Sequence, residues 1–269
     1  MLSFYSSEPT ARIEPSIFMA HFLGRRGWDA ERLGFRDTVL VTFIPELERR
    51  LLKRLNSPAP HDQRIQRLPW YNPAAHSFSA IASPMGAPAA VMLLEQLIAL
   101  GARRFVYLGF CGALDPTYHI GDCFVPTTAW REEGSSYHYL PADVTPTSSE
   151  RLNVELYHQA QRQGVTLRTG PIWTTDALFR ETAQKIQRFQ TAGAQAVDME
   201  MSALFAVAQV RKVEVCAALV VSDECYHSTW KPGFGHQPLR QACDDAIELC
   251  IHTADRLARL ADETATETN

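Results

Sequence analysis

Three carboxylates stand where the chain could do chemistry. Asp198 and Glu200 follow the short apolar run Ala196-Val197 and open a stretch rich in Ala, Leu, Phe and Val that reads as a helix. About twenty residues on, Ser222 and Asp223 end a buried strand-like run, residues 215–221. Acidic groups at the carboxyl ends of strands, beside a helix start, are where open α/β sheets place their ligand chemistry. The same residues also suit plainer roles, with Asp198 and Asp223 as N-caps and Glu200 in a solvated first turn.

The elements that must hold these groups are legible around them. Residues 38–43 predict a buried strand. Pro45 starts a helix through Leu55, with Leu47, Leu51, Leu52 and Leu55 on one face. Residues 77–82 predict a second strand, then a long apolar helix over 89–100 ended by Gly101. Strands are predicted at 104–109, from 121 onward and at 166–173, and helices at 149–163, 181–191 and 236–260. Residues 57–76 read as a loop. Strands alternating with helices mean an α/β fold with a mainly parallel sheet covered on both faces. Three glycine turns appear, at 83–86, 108–112 and 120–122. None is a G-x-G-x-x-G or P-loop pattern, so a nicotinamide or ATP enzyme is poorly supported.

At 269 residues and 46% hydrophobic, the chain can build one large core, so a single domain over 1–269 is expected. Residues 1–35 read as an N-terminal extension and 261–269 as a polar, frayed tail. The formal net charge is -4 and no basic block exceeds an arginine pair, so neither nucleic acid nor a membrane surface is an expected partner. Six scattered cysteines without a C-x-x-C pair read as reduced core thiols, and no metal is expected. The N-terminus lacks a signal-peptide pattern, and no run approaches the ~20 apolar residues of a membrane helix; a cytoplasmic protein is expected.

Order and spacing together resemble the nucleoside phosphorylase family, which includes hexameric purine nucleoside phosphorylase, uridine phosphorylase and methylthioadenosine/S-adenosylhomocysteine nucleosidase. The resemblance spans residues 36–255. It rests on Met85-Gly86-Ala87-Pro88, Leu108-Gly109-Phe110-Cys111-Gly112-Ala113-Leu114, Ile120-Gly121-Asp122, Arg131-Glu132-Glu133-Gly134, Thr174-Thr175-Asp176-Ala177-Leu178-Phe179, Val197-Asp198-Met199-Glu200 and Val221-Ser222-Asp223. It implies a three-layer fold with a central mixed, twisted sheet flanked by helices, no cofactor, and a homo-oligomer (dimer, trimer or hexamer).

Breaking the bond between ribose C1′ and a base passes through an oxocarbenium-like transition state. The resemblance assigns Glu200 to the ribose hydroxyls and the developing positive charge. It assigns Met199 to contact under the ribose, Asp223 to N7 of a purine and Ser222 to positioning Asp223. Asp198, Leu178 and Phe179 join the substrate-binding set; the stacking aromatic of the family aligns with Leu178, which implies that stacking is either weaker or supplied by Phe179.

At the anion site the chain departs from the phosphorylases. Phe43-Ile44-Pro45-Glu46-Leu47 replaces their Gly-Asp-Pro-x-Arg turn, and Tyr107 and Phe110 stand where Arg and Ser/Thr are expected. The Gly109-Phe110-Cys111-Gly112 segment would still offer backbone N–H groups, and Arg64, Arg67 or Arg131 could supply charge. The nucleosidases also lack those arginines and carry a water-activating glutamate early in the first helix. Glu48 is its best match and Glu46 the next, although both equally suit a solvated first turn. The resemblance therefore implies hydrolysis of a purine nucleoside's N-glycosidic bond. The alternatives are phosphorolysis through a rebuilt phosphate site and a non-catalytic nucleoside-binding member.

Overall fold

The computed structural model describes residues 4–8, 10–57, 64–65 and 68–267. In chain order its elements are α1 (Pro15–Gly24), α2 (Ala30–Leu33), β1 (Thr38–Thr42), α3 (Pro45–Arg54), β2 (Arg64–Ile65), β3 (Leu68–Tyr71), β4 (Ser79–Ala82), α4 (Ala87–Ala99), β5 (Arg104–Ala113) and β6 (Cys123–Glu132). There follow α5 (Ser136–Tyr139), α6 (Glu150–Gln163), β7 (Leu167–Thr175), a 3-10 turn (Leu178–Arg180), α7 (Ala183–Thr191), β8 (Ala196–Asp198), α8 (Met201–Arg211), β9 (Glu214–Glu224), β10 (Lys231–Pro232) and α9 (Gln237–Glu267).

The strands form one mixed sheet in the order β10-β9-β6-β7-β8-β5-β1-β4-β3-β2, and β9 also pairs with β5. That extra pairing closes β5, β9, β6, β7 and β8 into a ring, from which β1, β4, β3 and β2 extend as a wing. The β1–β4, β1–β5, β5–β9, β6–β7 and β7–β8 pairs are parallel; β8 meets β5, and β6 meets β9, antiparallel.

Side chains of a strand alternate between faces, and the central strands bury both. Val39, Val41, Phe105, Tyr107, Val215, Ala217, Leu219 and Val221 join one apolar cluster, with Leu93, Leu94 and Leu97 of α4 and Leu204, Phe205 and Val207 of α8. Leu40, Val106, Leu108, Cys216, Ala218 and Val220 join the other, with Leu47 and Leu51 of α3, Leu152 and Leu156 of α6, and Ile247, Cys250 and Leu257 of α9. These are the two helical layers of the expected three-layer fold. All six cysteines are buried and unpaired.

Several boundaries differ from expectation. Residues expected to form a loop contain β2 and β3; Trp70 is fully buried and β3 extends the sheet by pairing with β4. Within residues 1–35, Met19 and Leu23 of α1 are buried in the first cluster. The C-terminal helix runs to Glu267 rather than ending at 260, since no Gly or Pro interrupts it after Pro238. Among the described residues, no helix is long and apolar enough to cross a membrane.

Candidate active site

The largest correction lies in β5. The segment Leu108–Gly112 is not a glycine turn but the second half of a ten-residue strand, with a register shift between Cys111 and Gly112. On one edge β9 accompanies β5 throughout. On the other, β1 covers Arg104–Leu108 and β8 covers Gly112–Ala113. Between them Gly109, Phe110 and Cys111 have no strand against that edge among the described residues. A crevice where neighbouring strands part is where α/β sheets bind ligands. The strand pleat also separates two residues expected to act together. Tyr107 and Cys111 face the first cluster, while Phe110 packs toward the second.

Beyond β8 the chain builds the first carboxylate pair. Asp198 is an anchor: Oδ1 accepts from Thr174 Oγ1 at 2.6 Å, and Oδ2 accepts from Glu200 N at 2.8 Å and Met201 N at 2.7 Å. It thus satisfies the first free donors of α8, and the expected capping role is the one its geometry fills. Ser202 ties the same turn to Glu133, whose other oxygen accepts from Ser136 N.

Glu200 is 6% exposed, and its Oε1 accepts from the Gly86 N–H at 2.6 Å. Gly86 has φ 95° and ψ 142°, a region open essentially to glycine alone, so this N–H can be presented here only by glycine. Burial pushes the Glu200 carboxyl up, with Asp198 adding to it, while the Gly86 and Met199 N–H groups pull the other way. Burial also raises Asp198. Met199 is half-buried beside them.

Asp223 closes the opposite side. Its Oδ1 accepts from Ser222 Oγ at 2.6 Å; its Oδ2 accepts from Trp230 Nε1 at 2.8 Å and from the Cys225 thiol at 3.2 Å. A Cβ at Gly112 would stand 2.8 Å from Cys225 Sγ and 3.2 Å from Asp223 Oδ2, so glycine leaves room for this cluster. Glu181 lies 4.0 Å from the same thiol. Its carboxyl is pushed up to about 7, first by burial and then by Asp223 and Asp198. Burial raises the Cys111 thiol, helped by Asp223 and Asp198.

The positions expected to meet an anion are apolar core. Phe43 stacks on Tyr107 with ring centroids 5.4 Å apart at 8°, and Tyr107 and Leu47 are fully buried. Burial raises the Tyr107 hydroxyl, and Glu200 raises it further. Arg131 is engaged elsewhere, donating to Ser136 Oγ and to the carbonyls of Leu140, Pro141 and Val144, with its guanidinium over Tyr137. Arg67 and the side chain of Arg64 lie outside the described residues. Glu48 lines a separate groove of about 840 Å³ with Pro45, Arg49, Leu52, Lys53, Asn56 and Ser57. Leu47 and Leu51 turn inward, while Glu48 is half-buried on α3 and burial raises its carboxyl. Glu46 pairs with Arg50 on the surface. Leu178 and Phe179 sit on the 3-10 turn, and Phe179 is 96% exposed.

The sequence marked Gly86 as a glycine after a strand, and Thr174 and Glu133 within motifs of the family resemblance, without assigning them roles; Cys225, Glu181 and Trp230 were given no place in the site.

Carboxylates following β8 and ending β9, near the stretch of β5 that no strand covers on one edge among the described residues, stand where α/β sheets bind small molecules. The chain belongs to the Phosphorylase superfamily, whose family model matches residues 47–264. It is 27% identical over 167 residues to a guanosine phosphorylase of Halorubrum lacusprofundi, covering 62% of this chain and 69% of that one. It is 27% identical over 144 residues to a DeoD-type purine nucleoside phosphorylase of Bacillus cereus, covering 53% and 61%. The chain thus spans about two thirds of the length of the curated relatives it matches. In fold it is similar to AMP nucleosidase from Bacteroides thetaiotaomicron, with TM-score 0.75 and 21% identity over 93% of this chain and 99% of the other. It is likewise similar to purine nucleoside phosphorylase from Toxoplasma gondii in complex with immucillin-H, with TM-score 0.76 and 19% identity over 84% and 93%.

Proposed function

We propose that this protein cleaves the N-glycosidic bond of a purine nucleoside or derivative, with water as the acceptor. Glu200 accepts from the ribose hydroxyls and stabilises the positive charge that grows on the sugar. Asp223 meets the N7 edge of the base. The C1′–N bond breaks with its electron pair going to the base, which takes up a proton. Water adds at C1′ and gives its proton to solvent. A cation-like sugar needs only a weak nucleophile, so this water needs no strong activating base.

The observation that carries hydrolysis over phosphorolysis is the buried Phe43–Tyr107 stack, with Leu47 buried in the core on the other face of the sheet. A phosphate dianion needs converging donors, and desolvating one against these side chains would cost several kcal/mol. Incubation with adenosine, inosine, guanosine and methylthioadenosine, with and without phosphate, tests this. Free base and free pentose, at a rate flat in phosphate, are expected. A saturable rise with phosphate and a pentose 1-phosphate product would establish phosphorolysis, the reading favoured by the names of the relatives in sequence. Binding without turnover would mark a repurposed nucleoside-binding member.

A further inference from the structure

The connection between β9 and β10, residues 225–230, carries the contact that the proposed reaction leaves unexplained. Its far end is pinned. Lys231 and Pro232 register against Glu224 and Asp223, and the Gly233 N–H donates to Ser222 O at 2.8 Å. A Cβ at Gly233 would collide with Ile120 and that same carbonyl, so the backbone is seated directly on the residues that hold Asp223. Trp230, beside this anchor, aims its indole N–H at Asp223 Oδ2 at 2.8 Å. The side chain is nevertheless 61% exposed. Its ring lies 6.3 Å from that of Phe234, which lies 6.2 Å from that of Phe110.

An indole is a flat bicycle with one N–H on its five-membered ring. A purine leaving with a proton on N7 has the same outline and the same donor. We infer that Trp230 occupies on Asp223 the position that the departing purine takes, and so governs which base the site admits. This inference rests on the purine reading of the site. Ser222 holds Oδ1, while the indole and the Cys225 thiol hold Oδ2. A base therefore reaches Asp223 by displacing the indole, and only a ligand that restores both the N–H···O bond and the bicyclic surface makes the exchange even. A one-ring pyrimidine can offer an N–H but not the bicyclic surface. A competing side chain of this kind lowers apparent affinity by the fraction of molecules in which it holds the site.

Trp230→Phe keeps an aromatic ring and deletes the donor. Free hypoxanthine titrated calorimetrically is expected to bind the variant about 2- to 10-fold more tightly than the unaltered protein, the range of one net hydrogen bond. Its addition should also change the tryptophan emission of the unaltered protein, and this change should be absent from Trp230→Phe. Uracil should give neither response. Equal or weaker hypoxanthine binding by the variant, with inosine still cleaved by the unaltered protein, overturns the role of Trp230 alone; weaker binding would make the indole a platform for the base instead of its stand-in. Failure of both proteins to bind hypoxanthine, with inosine uncleaved, removes the purine reading and this inference with it.

Discussion

The role proposed for Glu200 makes two opposed demands of it: to stay buried and to work as an anion. Burial and Asp198 both raise its carboxyl, so it holds a proton at pH values where an exposed glutamate has lost one. Accepting from ribose hydroxyls requires the anion. The rate of base release should therefore rise with pH through the raised range, and Glu200→Gln should lower kcat/KM by roughly 100-fold or more without unfolding the protein. Stability should move the other way. A carboxyl raised in the folded state binds protons there more tightly than when unfolded, so its contribution is full below the unfolded value and is lost as pH rises through the folded one. Glu181, lifted from 4.5 to about 7, sets that window. Calorimetry on the free protein should show Tm falling across it, with a shallower fall in Glu181→Gln; a flat profile would remove Glu181 from the buried cluster. Glu200 and Asp223 were legible in the sequence because each stands at an apolar run's end. The partners of Gly86, Thr174 and Trp230 were not, because they lie in distant or non-periodic segments.

Elements decide where those residues meet. Most strands and helices were legible from apolar periodicity, but the extent of β5 was not. Its two glycines read as a turn, while in the structure β9 on one edge and β1 and β8 on the other hold the segment extended, tertiary pairing overriding local preference. Gly112 is therefore needed for close approach rather than for bending. Gly112→Ala would drive a methyl against Cys225 Sγ, 3.1 Å from Val197 Cγ1 and 3.2 Å from Asp223 Oδ2. It should cost about 1–3 kcal/mol of stability by overpacking and displace Asp223, lowering kcat about tenfold or more. Gly134→Ala is the control, since a Cβ there meets nothing within 4 Å. Denaturant unfolding of both variants, with initial rates, separates the cases; equal stability would mean that the Cys225 loop yields freely.

At the scale of the whole molecule, the layered architecture was legible and its closure was not. Strand–helix alternation tells how faces are covered, whereas the β5–β9 pairing that makes a ring depends on two strands about a hundred residues apart. The surface then poses its own question. Trp70 lies in this chain's own core, while Met85, Leu178, Phe179 and Phe234 remain exposed. Phe179 is the extreme, held out on a short 3-10 turn that begins two residues after Asp176. Large apolar side chains gathered on a surface mark contact sites, and closed symmetric homo-oligomers are the common solution. Burying one phenylalanine is worth about 1.5–3 kcal/mol. If a second copy covers Phe179, light scattering at micromolar concentration should report an oligomer, and Phe179→Ser should shift it toward monomer by about that energy at each contact. A monodisperse monomer would refute the assembly. An oligomer indifferent to Phe179→Ser would place the contact on another face.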